Sequence, residues 1–207
     1  MVQQTQTAAE AELLGDLRPL IEQIGSPEVL MTLAGECRAS HITNTSELRQ
    51  FLRSYHTQIL RPCELPAIQR AFNHASRNEA RELVAFDQEL GREAVLRNFV
   101  SASRRVGQNQ LQRLRPLRDQ RLVQRYLMAV EKGEATGWHT LVYGMTLAIY
   151  SVPLRQGLFG YARHTTRGFI HSAARSLRLS ETDSVDLLEE LSAGLPAAVE
   201  GLMTPIG

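Results

Sequence analysis

What this 207-residue chain lacks narrows it first. Its two cysteines, Cys37 and Cys63, form no CxxC pair and fall in no metal-ligand spacing. Neither a disulfide framework nor a zinc site is expected, and a reducing cytoplasm fits. The N-terminal MVQQTQTAAEAE is polar, without an apolar core or a cleavage pattern, so no secretory leader is read there. The apolar run from Trp138 to Val152 falls short of the roughly 20 residues that a bilayer demands, which predicts a buried helix rather than a membrane span. Net charge is +1, from 23 basic and 22 acidic residues, so bulk electrostatics gives no reason to expect a nucleic-acid or anionic-membrane partner. No two-residue apolar alternation and no Asn-Gly hairpin turn is present, which argues against sheets. GxSxG, HExxH, a Walker loop and a dinucleotide fingerprint are all missing, so the chain reads as a non-enzyme without a cofactor. The histidines at 41, 56, 74, 139, 164 and 171 include no i, i+3 or i, i+4 pair that would let a helix grip a metal. For His164 and His171, seven residues apart, a hydrogen-bonded or surface role is preferred to ligation, and no metal site is predicted.

What is present is helical periodicity. It predicts an all-α, single-domain bundle of about eight to ten helices over residues 1–207, with a polar N-terminal tail of about residues 1–8 and a loose apolar C-terminal tail of about 193–207. Leu13, Leu14, Leu17, Leu20, Ile21 and Ile24 repeat at three and four, and Gly25-Ser26-Pro27 stops that helix. A weaker pattern runs from Pro27 to Arg38. Ser46 or Thr45 can cap a helix bearing Leu48, Phe51, Leu52, Tyr55 and Ile59, which Arg61-Pro62 closes. A short helix from Leu65 to Asn73 precedes a long arginine-rich helical region from Glu79 to about Arg115, interrupted near Gly91. Pro116 suits the first turn of the next helix, which carries Leu117, Val123, Leu127 and Val130 inward and ends at Lys132-Gly133. GWHTLVYGMTLAIYSVP, positions 137 to 153, is apolar on most of its circumference and belongs at the centre of the bundle, with Gly144 permitting a close crossing. Pro153 starts a helix rich in small residues, and Ser180-Glu-Thr-Asp183 reads as a capping box before Val185, Leu188 and Leu191.

Charge is unevenly spread. Positions 92 to 125 hold nine arginines against Glu93 and Asp119, whereas everything after Arg178 contains six acids and no base. An arginine array can neutralise phosphates, but few aromatics interleave with it, so a single-strand stacking platform is poorly supported. A solvated helical face, or one that meets an acidic protein, is the simpler reading.

Several motifs fall in a recognisable order. The run Gly137 to Gly144, the small-residue helix Leu154 to Ala174, and Thr182-Asp183 with Leu187-Leu188 resemble the C-terminal half of the urease accessory protein F family. Upstream, Ala102-Ser103-Arg104-Arg105-Val106-Gly107 resembles that family's A-S-x-x-x-G. Together the motifs cover roughly residues 90 to 192. The chain also departs from the pattern. Ser180 and Ser184 stand where the family turn has glycines, Glu181 and Val185 replace its glutamines, and Trp138 takes the place of its usual histidine, with His139 beside it. Of the family's N-terminal P-V-G-G-F-x-x-S-x-G-L-E segment, only Glu36 finds a match.

The resemblance implies a non-enzymatic, all-α scaffold of nickel insertion into urease. Such a scaffold dimerises, binds accessory protein D (also called H), and through that complex recruits or regulates the G-type GTPase that serves the urease apoprotein. Nickel binding would then be indirect. The partner-binding residues it points to are Glu36, Ser103, Arg104, Gly107, Arg118, Arg121, Arg125, His139, Tyr143, Arg175, Thr182, Asp183, Leu202 and Met203. Ser103 and Gly107 have helix packing as their competing role, Arg175 can pair with Asp183, and Asp183 can serve only as a cap. The C-terminal Leu195, Pro196, Val199, Leu202 and Met203 form an apolar patch suited to docking on another chain. Two other readings stand beside this one: a helical regulatory or nucleic-acid-binding module using the arginine face, and a paralogue of the F family with a changed partner.

Overall fold

The structure is a computed structural model that describes residues 42–204. The helix expected from Leu13 to Ile24, the pattern from Pro27 to Arg38, the polar tail, Glu36 and Cys37 lie outside the described residues. Within them the chain is helical and contains no strand, as periodicity predicts. The helices are α1 (Thr45–Tyr55), a π-helical segment (His56–Glu64), α2 (Leu65–Ser76), α3 (Ala80–Leu90), a 3₁₀ turn (Ala94–Phe99), α4 (Val100–Leu114), α5 (Arg121–Glu131), α6 (His139–Ile149), α7 (Leu154–Leu177), α8 (Glu181–Ser192) and α9 (Leu195–Met203). Three groups of these follow one another directly or across the two-residue turn 193–194: α1 with the π-segment and α2, the 3₁₀ turn with α4, and α8 with α9. Counted so, the described residues make seven helices, somewhat fewer than the eight to ten expected. None is long and apolar enough to cross a membrane.

Several expected boundaries shift, each for a local reason. Asn44, rather than Ser46 or Thr45, caps α1: its backbone is extended and its side chain accepts the Glu47 N–H at 3.0 Å. Arg61-Pro62 does not close that helix. The chain widens into π-helical turns, in which the Leu65 N–H reaches back to the Leu60 carbonyl. The wider turn makes room for the Pro62 ring, which a regular α-helix would drive into the preceding turn. Pro116 does not start α5 either. Residues 115–120 close three-residue turns, Leu117 N–H to Leu114 and Gln120 N–H to Leu117, and the Gln124 amide ties down the Arg115 and Leu117 carbonyls before α5 begins at Arg121. The apolar end of the chain is not a loose tail: through Met203 it forms α9, with Pro196 in its first turn.

The core divides into two apolar clusters that meet at the half-buried Ile59. One gathers α1, the π-segment, α7, α8 and α9 around Leu48, Leu60, Leu158, Phe169, Leu187 and Leu195. The other gathers α3, α4 and α5 around Leu83, Leu111, Val123 and Tyr126, with Trp138, Leu141 and Met145 of the α6 stretch. Helix α6 belongs to both, and every residue from His139 to Leu147 is buried, as its all-round apolar character predicts. Small residues let its neighbours close in. A Cβ on Gly144 would collide with the Ile68 carbonyl of α2, and one on Gly107 of α4 with the Gly137 carbonyl and the His139 backbone.

One buried acid fixes where α6 starts. Asp87 of α3 is 0% exposed, and its carboxylate accepts the Tyr126 hydroxyl at 2.6 Å and the N–H groups of Thr136, Gly137 and Trp138 at 2.5, 3.0 and 3.3 Å. Gly137 sits there at φ +80°, a left-handed conformation that side-chain-bearing residues rarely adopt. The loop from α5 is thereby bent onto α3 and delivers Trp138 as the first buried residue of the central helix.

Two substitutions test this frame. Gly144→Leu overpacks the α2–α6 crossing and is expected to cost about 1–3 kcal/mol, read as a lower Tm; an unchanged Tm would contradict the crossing. Asp87→Ala orphans three backbone N–H groups and a phenol, and is expected to cost about 3 kcal/mol or more in urea unfolding.

Candidate functional site

The residues singled out by the sequence fall into an interior set and an exterior set. Ser103, Gly107, His139 and Tyr143 are interior. Ser103 Oγ accepts the His139 N–H at 3.0 Å, and Gly107 lies against the Gly137 carbonyl, so the A-S-x-x-x-G motif is the seam between α4 and the start of α6. His139 is buried and stacks on Tyr161 with ring centroids 5.3 Å apart. The Tyr143 hydroxyl donates to the Gly157 carbonyl at 3.0 Å, while its ring lies 5.2 Å from that of Tyr161. All four are buried against α2, α4 and α7, so the exposed surface of this chain is made by other residues.

The exterior set is spread over three places. Arg104 on α4, Arg118 on the following turn, and Arg121 and Arg125 one turn apart on α5 are all exposed. At the far end of α7, Arg175, Thr182 and Asp183 are exposed beside a groove of about 440 Å³, lined by Arg167, His171, Leu179, Glu181, Val185 and Leu188. Asp183 is committed to a capping box with Ser180: Ser180 Oγ accepts its N–H at 3.0 Å, and its carboxylate accepts the Ser180 N–H at 3.2 Å. The Ser180 hydroxyl, donating to the carboxylate at 2.6 Å, and the Ser180 N–H hold the Asp183 carboxyl below its ordinary pKa. The suggested Arg175–Asp183 pair gives way to this local cap. Leu187 and Leu191 form the buried edge of α8, whereas Val185 is exposed.

Met203 is exposed and Leu202 half-buried near the end of α9, but Leu195 and Val199 are buried in the first cluster, so the expected apolar patch is only partly open. Helix α9 is tied down by an Arg155–Glu200 ion pair and by the Gln69 amide on the Leu202 carbonyl at 2.8 Å. Arg155 and Arg178 stand at opposite ends of α7, so the Asp183 turn and the end of α9 are separated by roughly 30 Å of helical rise.

The unforeseen part lies inside. Glu64, the last residue of the π-segment, is buried with the Tyr55 hydroxyl donating to its carboxyl group. Burial raises its pKa to about 7, against the lowering influence of the Tyr55 and Tyr161 hydroxyls; that of Tyr161 lies near without a well-directed hydrogen bond. His56, one helical turn past Leu52, meets Thr166 Oγ1 at 2.7 Å, and burial with repulsion from Arg61 lowers its pKa to about 4. Burial alone lowers His139 to about 3. The interior between α1, α6 and α7 therefore holds two neutral imidazoles and an acid that titrates near neutral pH. A signal for such acids was present in the sequence. Glu64 follows Leu60 by four residues and Asp87 follows Leu83 by four, each on the apolar stripe of its helix, where a carboxylate has no ordinary place. Among the described residues no group of three or more His, Cys, Asp or Glu could hold a metal ion.

Comparison with known proteins agrees with the motif order. The UreF family profile matches residues 42–192, beginning well upstream of the motif series that carries the resemblance. A protein of Psychrobacter cryohalolentis named urease accessory protein UreF is 28% identical over 163 residues, covering 79% of this chain and 68% of its own length. One of the same name from Actinobacillus pleuropneumoniae is 23% identical over 135 residues, covering 65% of this chain and 60% of its own length.

Glu64 makes stability pH-dependent in a direction opposite to that of an ordinary carboxylate. Its folded pKa of about 7 lies above the ordinary 4.5, so its contribution is fully present below pH 4.5 and is lost as pH rises through 7. Relative to Glu64→Gln, which cannot titrate, the wild type is expected to lose on the order of 3 kcal/mol between about pH 4 and pH 8. His56 and His139 titrate in both proteins and cancel. Urea midpoints across that range check the difference, and a constant offset would contradict it.

Proposed function

The chain belongs to the UreF family, and on that membership we propose that it is a urease-maturation scaffold working through protein contacts in the cytoplasm. It binds accessory protein D (or H), and that complex recruits or regulates the G-type GTPase that delivers nickel to the urease apoprotein. The carrying observation is the family match over residues 42–192, which contains the α4 seam, the central helix and the α7–α8 turn in family order.

The distribution of polar groups supports this reading. The ionisable groups with strongly shifted pKa values are internal, while the exposed groups are arginines and cap residues. The partner surfaces proposed are therefore the arginine face of Arg104, Arg118, Arg121 and Arg125, the Arg175, Thr182 and Asp183 corner, and the Leu202-Met203 end of α9, each exposed or half-buried and well apart. Glu36 completes the proposed set from outside the described residues. Arginine suits such a face because its planar fork binds carboxylates bidentately. A homodimer presenting each surface twice is part of the proposal.

Size-exclusion chromatography with light scattering, on the chain alone and mixed with the D-type accessory protein of its own organism, tests it. The expected result is a dimer that co-elutes with D at two copies of each chain, and a complex weakened at least tenfold in Arg121→Glu/Arg125→Glu. A chain that ignores both D and the G-type protein would sink the scaffold reading.

A further inference from the structure

The π-helical segment ends on two residues, Cys63 and Glu64, that border a small cavity of about 10 Å³. Its remaining polar wall comes from Ser103 of α4 and from Trp138 and Thr140 at the start of α6, and its apolar wall from Ala67, Leu90, Leu96 and Phe99. Trp138 and Thr140 are 2% and 3% exposed, and neither Trp138 Nε1 nor Thr140 Oγ1 has a hydrogen-bond partner among the described residues. Folded proteins rarely leave such groups unpaired. Ser103 Oγ already accepts the His139 N–H at 3.0 Å but keeps a proton to donate. On Glu64, the Tyr55 hydroxyl engages Oε2.

A cavity of one probe sphere with two to four polar partners is the minimum that holds a buried water. We propose that this cavity is the hydration site of Glu64, binding one water between its carboxyl group, the Trp138 Nε1–H and the Thr140 hydroxyl. The water accepts the indole N–H, which has no other role, and exchanges hydrogen bonds with the threonine. Toward Glu64 it accepts from the protonated acid and donates to the carboxylate, so both forms of an interior acid keep a partner. The site is independent of the scaffold reading above.

The titratable groups around Glu64 are few. Tyr55 faces it from α1 and Tyr161 from α7, with Tyr143 and His139 of α6 behind Tyr161. Cys63 adjoins it on the same segment, and Glu93 acts on that thiol. All but Glu93 are uncharged near neutral pH, so the ionisation of Glu64 dominates the field at Trp138.

Trp138 is the chain's single tryptophan, so its fluorescence reports on this wall alone. A crystal structure of the full chain at about 1.5 Å is expected to show an ordered water within about 3.2 Å of Trp138 Nε1 and Glu64. Thr140→Val, of similar shape, is expected to empty or weaken that position. In solution, the emission of the wild type is expected to shift with a midpoint near pH 7, and Glu64→Gln, which keeps the shape of the site, is expected to abolish the shift. A dry cavity in the wild type, or a transition that survives unchanged in Glu64→Gln, overturns the proposal.

Discussion

The carboxylate of Asp87 is the point on which the rest of the structure turns. It sits fully buried and collects a phenol from α5 and three consecutive N–H groups from the loop that leads into α6. A buried carboxylate without a cation is costly unless its oxygens are filled by donors, and here four donors fill them. The Tyr126 hydroxyl is held well above its ordinary pKa by burial and by this same acid, so it remains a donor at any physiological pH. The consequence is directional. Once the loop is pinned at Gly137, Trp138 and His139 enter the core at a fixed height, and that height decides which residues of α2, α4 and α7 they meet.

Close packing follows from the pin. Ser103 and Gly107 are one helical turn apart on α4, where one accepts the first N–H of α6 and the other admits the Gly137 carbonyl. On the opposite side Gly144 admits the Ile68 carbonyl, and further along Gly157 of α7 takes the Leu147 side chain. At Gly107 and Gly144 the neighbour is backbone, at a range that leaves no room for a Cβ. Such motifs look functional in a sequence because so few residue types satisfy them. Their role here is to hold a helix that has no solvent face.

Much of this was legible in the sequence, and the illegible parts share a cause. Helix α6 announced itself by being apolar all round, the Ser180–Asp183 box by its spacing, and the breaks near Gly91 and Gly133 by composition, because each of those signals is local. Pro62 misled because a proline ordinarily ends a helix, and only the tertiary packing of Tyr55, Leu60 and Glu64 stabilises the wider turns that carry the chain past it. Pro116 misled in the same way, since a favourable first-turn residue says nothing of whether the turn continues. Helix α9 has an apolar composition without a strong polar face, and its order comes from Leu195 and Val199 docking on distant helices. His139 and Tyr143 lie on the helix expected at the centre of the bundle, and only the family resemblance pointed to them as partner residues; the His139 ring stacks on Tyr161 and the Tyr143 hydroxyl finds a backbone carbonyl.

The separation of charge between inside and outside then bears on how such a protein can recognise others. Glu64, His56 and His139 are each pushed toward their neutral forms by burial, so the interior carries little net charge to be felt at the surface. The arginines of residues 104–125 sit on α4, α5 and the turn between them, and the acids after Arg178 sit on α8 and α9, against α7. Some of those acids are already held within the chain, Glu190 by Arg49 and Arg53 at 2.9 and 2.7 Å and Glu200 by Arg155. The acidic half is thus partly neutralised from within, as Arg115 on the arginine side is by Glu131, and the two sides carry charge of opposite sign. A rigid core with a polarised exterior favours orientation-specific docking over chemistry at a central cleft, because steering acts on the whole body while the packed α6 seam keeps the two faces in fixed relation.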